Sequence, residues 1–270
     1  GAMASLAFLC ALLFIAIFAP FLTAHAPSQV HDESFKIPPV WMDQGSWIFP
    51  LGTDDLGRDL YTRLIYGSRV SLGVGLLVVI ISLTAGTVLG LISGYFGGVV
   101  DSIIMRLIDI LMSLPSILLA IVLVAILGPN LMNAIFAVSV ISLPAFVRIV
   151  RASTLAEKEK SYVSASQSFG ASHTRIAFFN ILPNCMAPII VQASLGFSDG
   201  ILNVAALGFL GLGAQPPTPE WGVMLSDSRA FLESAWWLVT FPGFCILLVV
   251  LSFNILGDGL RDALDPKLKV

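Results

Sequence analysis

The sequence predicts an all-α, polytopic transmembrane helical bundle of about six spans. Composition is the first reason. Of 270 residues, 57% are hydrophobic and 11% charged, where a soluble domain carries roughly 25% charged residues and 45–50% apolar ones. Such an excess is too large for a core surrounded by water, and lipid is the simpler solvent. Run length is the second reason: the apolar residues fall in stretches near the ~20 residues a helix needs to cross a bilayer. The third is that basic residues, such as Arg69, Arg148 and Arg151, bound these runs.

The first span reads as Ala4–Thr23. The Gly1-Ala2-Met3 start looks like a scar left by tag removal and is set aside. The second span is Val70–Gly94, where Gly86, Gly90 and Gly94 share one face at a spacing that permits close helix approach. The third is Ile103–Leu127, with Arg106 and Asp109 in its first turns, and the fourth is Leu131–Val150. Pro115 and Pro144 are expected to kink these two, neighbouring groups taking up the freed carbonyls. The fifth is roughly Cys185–Gly213 and the sixth Trp236–Gly257, with Trp236 and Trp237 in an interfacial belt.

Lysine and arginine set the orientation. With the 148–175 region inside, nine basic residues lie inside (Arg106, Arg148, Arg151, Lys158, Lys160, Arg175, Arg261, Lys267, Lys269) and five outside (Lys36, Arg58, Arg63, Arg69, Arg229). Both termini are then inside. Residues 24–68 form an outer loop, in which Asp54–Tyr66 reads as a short interfacial helix. A second outer loop, 214–235, opens on Gln215-Pro216-Pro217 and follows an extended path. The core with its five spans occupies 69–257 and the tail 258–270. Against the five basic residues the outer face sets nine acids, including Asp54, Asp59 and Glu220, a balance that suits orienting a partner protein but is also common in solvated loops.

The inside loop, 152–184, is the least ordinary segment. Glu157–Phe169 favours helix and Gly170 ends it. A second helical stretch runs from Ser172 to about Ile181 and stops before Pro183. Together they make a compact protrusion, although composition alone fits a solvated loop as well.

Asp199 is the one acid deep in a span, and ionising it at the bilayer centre costs roughly 2.5–3.5 kcal/mol. Gln192, Gly196, Asp199 and Asn203 fall on one helical face. Two readings stand: a wall of a translocation path that meets a peptide's amino terminus, or a helix–helix hydrogen bond to a partner subunit.

Net charge of −3 points away from nucleic acid. Cys10, Cys185 and Cys245 are too dispersed for a disulfide framework or a metal site. No phosphate-cradling G-x-x-x-x-G-K-[ST], H-E-x-x-H or G-x-S-x-G occurs. An intramembrane protease would have to use Asp109 and Asp199, which lie at different depths. A passive channel would not need the inside protrusion.

The stretch Tyr162-Val163-Ser164-Ala165-Ser166-Gln167-Ser168-Phe169-Gly170, followed by Asn180-Ile181-Leu182-Pro183, resembles the EAA loop of binding-protein-dependent ABC importer permeases. Ala165, Gly170, Leu182 and Pro183 match that pattern. Ser164 stands at the family's glutamate, Ser166 at its third position, and Asn180 where isoleucine is frequent. Four further stretches are similar to the C-type permease of dipeptide and oligopeptide transporters: Leu51–Asp59, Gly94–Asp101, Ala205–Pro217 with Glu220-Trp221-Gly222, and Asn254–Pro266. The resemblance implies a type I importer fold in a bacterial inner membrane. It implies a homologous partner permease, two nucleotide-binding ATPase subunits that carry ATP and Mg, and a periplasmic substrate-binding protein. No cofactor is expected in this chain. Tyr162, Val163, Ser164, Ala165, Ser166, Phe169, Gly170, Leu182 and Pro183 would couple to the ATPase, through shape and apolar contact since the glutamate is lost. Short peptides are the implied cargo, with haem, glutathione and nickel as alternatives within the same machinery.

Overall fold

The computed structural model describes residues 1–264 and is helical throughout its long elements. Lys267 and Lys269, counted above for orientation, lie outside the described residues, as does the Asp265-Pro266 end of the last motif.

Helix α1 spans Ala2–Ile17 and so includes Ala2 and Met3; α2 is a single turn, Ala19–Leu22. The first apolar run is therefore broken at Phe18 rather than continuous to Thr23. Pro20 explains the break, since it has no N–H to give to the turn before it. Helix α3, Leu60–Phe96, is far longer than the predicted second span. No separate interfacial helix covers 54–66, and the boundary placed at 68 falls inside α3. Residues 54–59 instead form a tight loop. Asp59 caps α3 by accepting from Tyr61 N and, at 2.6 Å, from Thr62 Oγ1. Asp54 accepts from the Leu56 and Arg58 amides and from Arg58 Nε at 2.6 Å, with Arg63 Nε at 3.4 Å. Satisfied in this way, these charges let the helix continue well beyond a bilayer's width.

The third span is two helices, α4 (Gly98–Met112) and α5 (Ser116–Leu127), meeting at 91°. The expected kink at Pro115 is a full break, because Pro115 takes an extended conformation (ψ 128°) just ahead of α5. Helix α6, Leu131–Lys158, runs through buried Pro144 and extends eight residues beyond Val150. The inside loop consequently starts within a helix at Ala152. After the short helices α7 (Ser161–Ser168) and α8 (His173–Arg175), the chain passes through a π turn, Ile176–Ile181, and a 3-10 turn, Leu182–Cys185, into α9, Met186–Phe209. Pro183 does not end a helix. It sits just after a widened turn, where its missing N–H is tolerated. The 214–235 loop is only partly extended, since it holds α10, Trp221–Asp227, and a 3-10 turn at Arg229–Phe231. Helix α11, Trp237–Leu264, continues past Gly257, so the tail begins inside it.

Successive long helices alternate direction. Gly1 lies beside Ile255, so the start of α1, the end of α11 and α7 share one end of the bundle. Residues 24–59 and α10 share the other: Trp221 Nε1 donates to Leu64 O at 3.1 Å. Three apolar clusters run between them. Leu60, Ile201, Trp221 and Trp237 centre the first, Val78, Val124, Val138 and Leu207 the second, Leu91, Val150, Val163 and Ile181 the third. Trp237 is thus in the core rather than in an interfacial belt; Trp236 beside it is exposed.

Helices α3 and α6 pack closely along a glycine seam. A Cβ on Gly90 would stand 2.7 Å from Val147 O, and one on Gly94 would stand 2.8 Å from Thr154 Cβ. Gly86 faces Phe146 in the same seam. Small residues at four-residue spacing allow the two backbones to meet.

Candidate functional site

The protrusion at the α7 end is built outward from Val163. This residue is fully buried among Leu91, Tyr95, Val150, Ile181, Cys185 and Ile189. One apolar side chain therefore fixes α7 to the ends of α3, α6 and α9. Gly170, at φ +76°, closes α7: its amide donates to Gln167 O and the Ala171 amide reaches back to Ser166 O at 3.1 Å. Glycine takes this left-handed conformation without the Cβ penalty.

Side-chain hydrogen bonds lock α7 to the π turn. Ser166 Oγ donates to Tyr162 O at 2.9 Å and accepts from Asn180 Nδ2 at 2.7 Å. Tyr162 Oη donates to Glu157 Oε2 at 2.7 Å, and Glu157 Oε1 pairs with Lys160 Nζ at 2.5 Å. Burial and the adjacent Glu157 push the Tyr162 phenol up to about 12, so it stays a donor at any physiological pH. Leu182 packs on the same cluster, while Pro183 is exposed.

The outward face of α7 itself carries no charged side chain. Ser164 and Ala165 are exposed, and Phe169 is 91% exposed at the tip. No acid takes the place of the family glutamate on this face. A cavity of about 320 Å³ lies beside the tip, between Phe169, Ala171, Arg175 and Asn180.

Three ties to the bundle were not anticipated from sequence. Arg151 forks onto Asp101 at 2.5 and 2.6 Å, joining α6 to α4. Tyr95 Oη meets His173 Nδ1 at 2.8 Å, and Lys158 Nζ donates to Tyr95 O at 2.7 Å. Each joins residues roughly 50 to 80 positions apart, and nothing in local spacing signals them. Arg148 pairs with Asp109 at 2.7 Å on the exposed side of the bundle.

The polar stripe on α9 is not continuous. Gly196 is buried, and the Phe146 ring comes within 3.1 Å of where its Cβ would stand. Asp199 is exposed, and Asn203 Nδ2 donates to its backbone carbonyl rather than to its carboxylate. Among the described residues that carboxylate makes no ion pair. Gln192 lines a cavity of about 490 Å³ with Pro188, Leu195, Asp258 and Arg261 at the α7 end. Helical spacing placed all four residues on one face; the bulk of Phe146 from α6 fills the gap at Gly196.

A bundle of apolar helices with an anchored helix–Gly–turn knob at one end defines a membrane transport subunit. Residues 86–270 match the family described as "Binding-protein-dependent transport system inner membrane component", and the chain belongs to it. Residues 1–39 match the "N-terminal TM domain of oligopeptide transport permease C". The chain is 58% identical over 269 residues to the dipeptide transport system permease protein DppC of Escherichia coli, covering all of this chain and 90% of that protein. It is 53% identical to the di/tripeptide transport system permease protein DppC of Pseudomonas aeruginosa, covering 100% and 89%. Among solved structures, the inward-facing MetNI methionine ABC transporter aligns with a TM-score of 0.60 at 18% identity, covering 75% of this chain and 96% of that one. This likeness gives the type I permease fold. The chain is thus a multi-pass inner-membrane permease of an ABC importer.

Proposed function

We propose that this permease moves dipeptides and other short peptides into the cytoplasm, and that α7 is its docking helix for a separate ATPase subunit. The carrying observation is the division of labour on α7: Val163 is locked into the bundle while Ser164, Ala165 and Phe169 are free on the outside. A knob held in this way transmits a push to α3, α6 and α9 together. In this reading the α7 end is cytoplasmic, as the basic residues suggest, and both termini lie there.

Two nucleotide-binding subunits would carry ATP and Mg, and this chain would supply no catalytic group. Closure of those subunits moves α7 as a lever and rocks α3–α11 against a homologous partner permease. A periplasmic binding protein would deliver cargo near residues 24–59 and α10. Peptide cargo is supported by the relatives named for dipeptide transport. Glutathione is the alternative with a specific observation behind it: a Pectobacterium atrosepticum glutathione permease, GsiD, is 48% identical over 219 residues. Uptake by the reconstituted complex with its binding protein decides between them. Dipeptide uptake with no glutathione uptake supports the proposal, and the reverse result overturns the cargo.

A further inference from the structure

On the outside of the bundle, α1, α3, α9 and α11 enclose a cavity of about 640 Å³. Leu6, Leu9 and Leu13 of α1 form one wall at helical spacing, and Arg69, Gly73 and Leu76 of α3 form the other. Its floor includes Phe197 stacked on Phe253 at 3.9 Å. The lining is apolar apart from Arg69, which stands at the end nearer residues 24–59.

We infer that this groove is a binding site for a phospholipid with an anionic headgroup, one acyl chain lying along α1 and the phosphate on Arg69. Length is the first argument. From Leu6 to Ile17 is eleven residues, about 16 Å at the helical rise, which matches the ~15 Å of one leaflet of a ~30 Å hydrocarbon core. The groove is therefore long enough to take an acyl chain of one leaflet. Its volume lies in the roughly 300–1,000 Å³ range of pockets that hold a ligand.

Charge is the second argument. Arg69 Nε donates to Ala16 O and Nη2 donates to Ile17 O at 2.7 Å, which caps the end of α1 and fixes the guanidinium at the groove mouth. Only neutral carbonyls are used in this. Among the described residues Arg69 has no carboxylate partner, although it is exposed. Held by two carbonyls and facing the Tyr66 ring 5.6 Å away, and without a carboxylate partner among the described residues, this cation beside an apolar slot is complementary to a lipid phosphate.

Gly73 is the third argument. A Cβ there would meet nothing within 4 Å, whereas the glycines of the α3–α6 seam have neighbours under 3 Å. Gly73 thus leaves room in the groove rather than permitting helix contact.

Native mass spectrometry of the full-length chain, titrated with phosphatidylglycerol and phosphatidylcholine, tests the site. One tightly held phosphatidylglycerol is expected, preferred about fivefold over phosphatidylcholine, as one basic group near a membrane surface gives. Arg69→Gln should bring that preference close to one. Gly73→Leu should lower retention of both lipids by filling the slot. Equal binding of the two lipids by the unaltered chain overturns the inference, as does unchanged retention in Gly73→Leu. If Arg69→Gln does not fold, Gly73→Leu decides alone. Photocrosslinking from position 13 provides a second readout: capture of lipid supports the site, and capture of a protein segment overturns it.

Discussion

Asn180 donates from Nδ2 to Ser166 Oγ at 2.7 Å, and so joins the π turn to α7. A polar pair here replaces an expected apolar contact. It fastens α7 to the π turn through neutral groups alone.

That pair should behave as a unit. Asn180→Ala or Ser166→Ala alone is expected to cost about 0.5–1.5 kcal/mol, the usual net worth of a hydrogen bond. Combining Asn180→Ile with Ser166→Ala should recover much of the loss, because no polar partner is then left unpaired. A double-mutant cycle on thermal unfolding in detergent measures this, and strict additivity would rule the coupling out.

Phe169 should matter for assembly and not for folding. At 91% exposure its removal costs the isolated chain little. Phe169→Ala is expected to weaken ATPase co-purification by about 2 kcal/mol or more, as for an aromatic anchor at an interface. Unchanged recovery of the ATPase would remove Phe169 from the docking surface.

Gly90 should tolerate no side chain. Its Cβ would meet Val147 O at 2.7 Å and Val150 Cβ at 2.8 Å. Gly90→Leu is expected to destabilise by about 1–3 kcal/mol or more through overpacking. Lower expression and a lower melting temperature than Gly73→Leu would show it, since both substitutions are of one type in one helix.

Glu220 gives a pH dependence of known sign. It caps α10, accepting from the Gly222 and Val223 amides at 2.9 Å each, and is buried. Burial raises its carboxyl above the ordinary value, against the lowering effect of those amides. The folded chain then binds this proton more tightly than the unfolded chain. Stability falls as pH rises from the ordinary carboxylate value through the raised one. Glu220→Gln should flatten that slope as pH rises above 4.5, and thermal melts across pH will read it. An equal slope in both proteins would assign the dependence elsewhere.

Asp199 is the remaining test of the translocation path. Asp199→Asn should leave assembly intact and reduce peptide uptake several-fold, about 1 kcal/mol of lost charge complementarity. Full uptake would leave it a packing residue toward the partner permease.

The long spans were legible because lipid imposes a one-dimensional signal. Apolar runs, flanking charges and small-residue spacing survive without knowledge of neighbours, and α3, α6, α9 and α11 appear where those runs lie. The bend after α7 was legible too, since Gly170 takes a φ of +76° that glycine adopts without a Cβ penalty. Helix ends were not. Leu60 starts α3 because Asp54 gathers Arg58 and Arg63 and Asp59 caps the turn, an arrangement of charges that hydropathy scores as a loop. Interruption of the α9 stripe was equally hidden, because Phe146 reaches Gly196 from a helix fifty residues away. By itself the sequence determined where the long apolar segments lie and that the chain turns at Gly170, while the six expected spans became four long apolar helices, one bent pair and the shorter α1 among the described residues. Tertiary packing alone decided which faces are buried, where each helix stops, and that Ser166 and Asn180 meet, since each depends on side chains distant in sequence filling the same space.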